Sequence, residues 1–207
     1  MRRSKYGYLL LALLVTTGLA GTITSTSLTS KERKFAAIHL RDSKIQVMES
    51  LKDLSETQLE FKPAPDKWSI KECAFHIAMS EANFWHMIDA ALKQPANPPK
   101  RSEIKFTDEQ VIRMVEDCCE KFKTKEFLEP KNTSFKTLEE ALEQFKSLRA
   151  EHIKYMKRTT EDLRNHVVQL PIGWVDCYQV CLFMAAHSNN HKLQIQEIRA
   201  GSNFPSR

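Results

Sequence analysis

Glycine is almost missing from most of this chain: five occur in 207 residues, and three of those fall within the first 21. What remains, Gly173 and Gly201, excludes a Gly-rich loop that cradles phosphate and argues against a sheet built on tight hairpins. A surplus of one charge is missing too. The formal net charge is +5, but Arg2, Arg3 and Lys5 stand in a leader without an acidic residue, so the balance without residues 1–20 is +2. Basic and acidic side chains are mixed along the sequence, which is the pattern of a solvated surface, and no nucleic-acid partner is expected. A long apolar run is also absent, because Leu9 to Ala20 is well short of the ~20 residues that span a bilayer. With no internal repeat and no second composition regime, the 42% hydrophobic content points to one core.

Disulfides find little support. Five cysteines make an odd count, Cys118-Cys119 is vicinal, and Cys177 and Cys181 stand one helical turn apart, a poor geometry for bridging each other. Small buried core residues are the expected role. The leader itself has an export signal's layout: a basic start, an apolar run from Leu9 to Val15, and Gly18-Leu19-Ala20 as small residues for cleavage. Residues 1–28 are therefore read as signal and flexible tether, and 29–205 as the folded domain. Export to the periplasm or beyond, with no membrane span left after cleavage, is the expectation. An uncleaved N-terminal anchor is the alternative.

Helix starts are marked by a small oxygen-bearing residue followed three positions later by Glu or Gln. Thr29 with Glu32, Ser69 with Glu72, Thr107 with Gln110, Thr137 with Glu140 and Asp176 with Gln179 fit this capping pattern. They predict helices over about 30–54, 70–93, 108–125, 138–165 and 177–200. Pro63 and Pro65, then Pro95, Pro98 and Pro99, then Pro171 with Gly173, interrupt them. Phe35, Ile38, Ile45, Met48 and Leu51 form the apparent core stripe of the first helix, with Asp42 among them. The third helix, carrying Cys118, Cys119 and Phe122, is an added element. The fold class that follows is all-α, a four-helix bundle with one additional short helix and an N-terminal signal segment.

One constellation suggests chemistry. His187 and His191 are four residues apart on the last helix and share a face, so both imidazoles can reach one divalent ion if a third ligand comes from another helix. His76 is the candidate, on a polar flank of Ser69, Glu72, His76, Ser80 and Asn83 beside the apolar stripe Cys73, Ile77, Phe84, Ile88. Trp68 precedes the cap and can pack on Cys73, fixing how this helix enters. Three imidazoles leave an open position for water, which suits a metal-dependent, hydrolase-like enzyme. The catalytic base is not identified: Glu72 is occupied in its cap and Glu81 lies about 140° round the helix from His76. Asp42 and Gln194 are the candidates for orienting a ligand or substrate. His39, His86, His152 and His166 read as solvated or edge residues.

Lys67-Trp68-Ser69-Ile70-Lys71-Glu72 with His76 and Glu81, then His187-Ser188-Asn189-Asn190-His191 with Gln194, Ile195 and Glu197, and the closing Asn203-Phe204-Pro205, together resemble the DinB family of metalloenzymes. The resemblance spans roughly Phe35 to Pro205. It implies a four-helix bundle holding one divalent ion, zinc, nickel, iron or manganese, on His76, His187 and His191. This chain departs from many relatives at Phe75 and Asn190, where they carry an acidic residue and an arginine. A small-molecule substrate is implied but not its identity, and a homodimer is left open. Two other readings stand beside the hydrolase. One is a non-catalytic or stress-associated metal-binding module. The other is a thiol-dependent S-transferase, against which export argues because low-molecular-weight thiols are kept reduced mainly inside the cell.

Overall fold

The structure is a computed structural model that describes residues 27–117 and 124–206. The leader, the tether as far as Thr26, and Cys118, Cys119 and Phe122 lie outside the described residues. Helices α1 (Ser30–Ser50), α3 (Ile70–Leu92), α5 (Leu138–Arg158) and α6 (Cys177–Ala200) are the long ones; α2 (Glu56–Glu60) and α4 (Asp108–Glu116) are short. Each of the five expected caps accepts from the backbone N–H three residues on, and four of the five close reciprocally through the Glu or Gln. Ser55 with Gln58 forms a further box that starts α2, and Gln58 also donates from Nε2 to the Pro205 carbonyl at 2.9 Å. Among the described residues no helix is long and apolar enough to cross a membrane.

Around the bundle α1 packs on α5 and α6, and α3 packs on the same two, so α1 and α3 stand diagonally opposite. Helix α6 is the hub, because α4 lies on it as well and its first ten residues, Cys177 to Ala186, are all buried. Apolar side chains gather in two clusters. One surrounds the N-terminal half of α6 with Phe84, Ile88, Ile153 and Met156; the other joins Ile70, Phe75, Ile77, Phe145 and Ile195. Between them lies a polar layer of Ser43, Ser80, Glu81, Arg149, His152 and Ser188, each at most 2% exposed. The cysteines Cys73, Cys177 and Cys181 are unbridged and buried, and burial pushes the Cys73 and Cys177 thiols up to about 12.

Several expectations need correction. The chain is mostly helical but not all-α: β1 (Val167–Leu170) and β2 (Gly173–Asp176) pair antiparallel, with Val168 opposite Val175 and Leu170 opposite Gly173. Pro171 and Ile172 form the turn, and Gly173 at φ +120° supplies a conformation that side chains rarely adopt. Helix α1 stops at Ser50, with Leu51 as its C-cap, and the turn that follows carries Asp53 at φ 58° before Leu54. Helix α5 ends at Arg158, not near 165. Thr159 leaves the helix, its hydroxyl accepts from the Glu161 N–H, and Arg164 is drawn to Glu32, Asp108 and Asp176 at 2.7–3.0 Å.

The stripe expected for α1 holds only at its C-terminal end, where Leu51 is buried and Met48 packs against the core. Ala36, Ala37, Leu40, Ser43, Val47 and Ser50 face the core, while Phe35, Ile38 and Ile45 are 45%, 37% and 50% exposed. Small side chains win that face because they let α1 approach α5 closely enough for Arg149 to reach the Leu40 carbonyl and the Ser43 hydroxyl. Leu28, read as the end of the tether, is 3% exposed and belongs to the core.

Candidate metal centre

The capping box of Ser69 and Glu72 starts α3 so that His76 emerges two turns in, facing α6. On α6 the four-residue spacing stacks His187 and His191 toward the same side. The result is a convergence of like atoms: His76 Nε2 lies 3.2 Å from His187 Nε2, and His187 Nε2 lies 3.2 Å from His191 Nε2. All three lie within 4.8 Å of one another. A tetrahedral ion with nitrogen ligands at about 2.0–2.1 Å holds those nitrogens roughly 3.3–3.4 Å apart, so the spacing fits one ion.

The far side of two rings fixes which nitrogen is free. His76 Nδ1–H donates to the Leu128 carbonyl at 2.8 Å, and His191 Nδ1–H donates to Gln194 Oε1 at 3.0 Å. Both Nε2 atoms are then lone pairs aimed into the cluster, the arrangement that metal-binding histidines use. Burial pushes all three imidazoles down: His76 below its ordinary value, His187 well below it, and His191 to about 3, the last two also disfavoured by the neighbouring rings. Neutral rings at neutral pH are ready ligands.

Aromatic side chains wall the cluster. The Trp68 ring lies 4.8 Å from His76 and 5.9 Å from His191, and Phe84 and Phe183 flank His187 at 5.3 and 6.2 Å. Ser80, one turn after His76, places its hydroxyl 3.4 Å from His76 Nε2.

Of the other residues considered from sequence, Gln194 is at the centre and holds His191. Asp42 is not: it is half-exposed and paired with Arg41 at 2.8 Å, on the solvent side of α1. Glu72 is held by its cap and by Lys62. Phe75 packs on Phe135, and Asn190 donates to the Val115 carbonyl, tying α6 to α4. His86 is exposed, His39 stacks on Phe35, and His166 donates within its own loop.

Sequence reasoning missed the group beside the triad. Arg149 is wholly buried and bidentate on Glu81, with Nε to Oε1 at 2.8 Å and Nη2 to Oε2 at 2.6 Å. It also donates to Ser188 at 2.8 Å, while His152 Nδ1–H donates to Glu81 Oε1 at 2.7 Å and its ring stacks on Trp85. Burial alone would raise the Glu81 carboxyl, but Arg149 and His152 outweigh it and hold it below the usual range. His152 is thus a buried partner rather than an edge residue. A signal was available: Glu81 falls four residues after Ile77 on the α3 stripe, and Arg149 four after Phe145 on the α5 stripe, so opposite charges occupy core positions on two helices.

Comparison with known proteins agrees with this architecture. The family model for the DinB superfamily matches residues 40–195. No curated protein matches this chain. Among solved structures, YfiT from Bacillus subtilis, described as a probable metal-dependent hydrolase with an unusual four-helix bundle topology, superimposes with a TM-score of 0.56 at 13% identity. The match covers 83% of this chain and 88% of that one, and at this identity it establishes the shared fold.

Proposed function

Because this chain belongs to the DinB superfamily, we propose that it is a metal-dependent enzyme of hydrolase-like type, its divalent ion held by Nε2 of His76, His187 and His191. The observation that carries the reading is the convergence of the three Nε2 atoms, two of them fixed as lone pairs by the Leu128 carbonyl and Gln194. The description of YfiT as a metal-dependent hydrolase supports the same class. When bound, a divalent ion with three imidazole ligands polarises a carbonyl or phosphoryl oxygen and lowers the pKa of a coordinated water toward neutrality.

The chain's own residues do the rest. Neutral imidazoles offer lone pairs without first shedding protons. The rings of Trp68, Phe84 and Phe183 thin out water around the cluster, which strengthens any electrostatic contact made there. Glu72 and Glu81, the carboxylates nearest His76 in sequence, are both committed to other partners, so neither is the general base.

The test is metal analysis of the untagged full chain, with His76→Ala, His187→Ala and His191→Ala beside it. About one ion per chain is expected, with affinity reduced by more than about a hundredfold in each variant and unchanged in His86→Ala. Full stoichiometry in His76→Ala would remove α3 from the site. The same analysis decides among zinc, nickel, iron and manganese, all of which imidazole suits.

A further inference from the structure

Ser80 is 1% exposed, and its hydroxyl has His76 Nε2, at 3.4 Å, as its polar neighbour. A serine inside a helix ordinarily turns its hydroxyl back to the carbonyl four residues earlier, as Ser188 does to Met184 at 3.1 Å and as Ser43 and Ser50 do three residues back. Ser80 instead points along its own helix face toward the nitrogen cluster, on the lone-pair side of Nε2. That lone pair is the one an ion on the triad takes. A buried hydroxyl cannot be left without a partner at no cost, so once Nε2 is engaged the hydroxyl turns either back to the carbonyl one turn earlier, as the other helix serines do, or to a ligand on the ion.

From this we infer that Ser80 hydrogen-bonds whichever ligand occupies the remaining position of the ion, and thereby biases that position toward oxygen ligands over sulfur ligands. The inference rests on the three-histidine reading and adds a substrate class to it. An oxygen of a carbonyl, carboxylate or hydroxamate is a full hydrogen-bond acceptor and can receive the Ser80 O–H, whereas a thiolate or thioether sulfur accepts weakly. The surrounding walls, Trp68, Phe84 and Phe183, are aromatic and supply no competing polar contact through their ring faces. The site then favours hydrolytic substrates bound through oxygen over thiol co-substrates.

The experiment uses the full chain loaded with cobalt(II), whose absorption reports the coordination sphere. Acetohydroxamate and ethanethiol are titrated separately into wild type, Ser80→Ala and Ser80→Thr, with cobalt affinity measured for each. Ser80→Ala should bind cobalt as wild type does and lose about tenfold in acetohydroxamate affinity, while ethanethiol affinity stays within twofold. Ser80→Thr, which keeps the hydroxyl, should bind acetohydroxamate more tightly than Ser80→Ala. Equal acetohydroxamate affinity in wild type and Ser80→Ala overturns the assignment, and so does an equal loss for both ligands. A wild-type chain that takes up no cobalt overturns the metal reading as well, and Ser80→Ala that folds by circular dichroism but loses cobalt shows Ser80 supporting the ring of His76 rather than contacting the ligand.

Discussion

Two polar groups stand close together in this bundle, one fully buried and one partly so, and they are built in opposite ways. In the Glu81, Arg149 and His152 group donors meet acceptors: the carboxylate takes three hydrogen bonds, and the guanidinium reaches Glu81, Ser43, Ser188 and the Leu40 carbonyl. In the triad acceptors meet acceptors. Nε2 of His76 and of His191 both carry lone pairs, so of the three rings at most His187 can bring a proton to the cluster, beside the Ser80 hydroxyl at 3.4 Å from His76 Nε2. The first network, in which His152 Nε2 alone is left without a partner, ties helices together; convergent lone pairs with few donors among them leave room for a cation. The first group spans α1, α3, α5 and α6, and Ser188 stands next to His187, so the same arginine that pairs Glu81 on α3 also holds α6 where the two helices that carry the histidines face each other.

The largest effect separates the two groups by stability. Arg149→Met would leave the Glu81 carboxylate buried without its partner, and removing one member of a buried ion pair costs about 3–5 kcal/mol. Replacing both, as Glu81→Leu with Arg149→Met, should recover much of that loss, because an apolar pair leaves no stranded charge. The triad variants, measured without metal, should by contrast cost less, about 1–3 kcal/mol for lost packing and, in His76→Ala, for the Leu128 carbonyl left unpaired, since no charge is stranded. Urea unfolding checks both. A mild Arg149→Met would show the ion pair to be incidental and would break the contrast.

The next effect sharpens the comparison by pH. The triad histidines are held below their ordinary value by burial, His191 at about 3. As pH falls below about 6.5 the unfolded chain takes up protons that the folded chain refuses, so metal-free stability falls from there down toward the folded values. The slope is roughly 1.4 kcal/mol per pH unit for each such histidine. His39, also lowered by burial, adds to it. Glu81 is lowered as well, so its contribution holds above about 4.5 and is lost only below that, as pH falls through its folded value. Between pH 6.5 and 4.5 the slope belongs to histidines, and His191→Gln should reduce it while leaving the loss below 4.5 in place. An unchanged slope in that window would mean that His191 is protonated in the fold.

How much of this could be seen in sequence depended on range. Helix starts were legible because a cap and its partner lie three residues apart, and so were His187 and His191, four apart on one face. Helix ends were less so: the stop of α5 at Arg158 depends on Arg164 reaching carboxylates on α1, α4 and β2, contacts between residues as far as 132 apart in sequence. The face of α1 was misread because large apolar residues are not always the buried ones when a neighbouring helix must come close. His76 joins the other two histidines in sequence only through ligand chemistry and the resemblance to the DinB family, since no spacing links residues so far apart. The Leu128 carbonyl that orients it carries no side-chain signature at all. Glu81 and Arg149 did leave a trace, as opposite charges on apolar stripes, but only the fold brings residues 68 apart into one pair.

The smallest effect tests whether the triad is held from behind as firmly as the ion pair is held from within. Gln194 Oε1 accepts the Nδ1–H of His191 at 3.0 Å, one turn along α6, and so keeps the proton off the nitrogen that faces His76 and His187. Gln194→Leu removes the acceptor while preserving shape, and His191 is then free to place its proton on either nitrogen. Only one of the two tautomers can bind an ion, and outer partners of this kind are commonly worth tenfold or more in metal affinity. About a tenfold loss is expected, with one ion still bound at saturation. Gln194→Glu, which offers a charged acceptor, should bind at least as well as wild type, because a carboxylate behind the ring makes Nε2 more basic. The Leu128 carbonyl behind His76 cannot be deleted by substitution, so Gln194 is the place to measure this support. Wild-type affinity in Gln194→Leu would show that packing against Trp68, not the hydrogen bond, sets the orientation of His191.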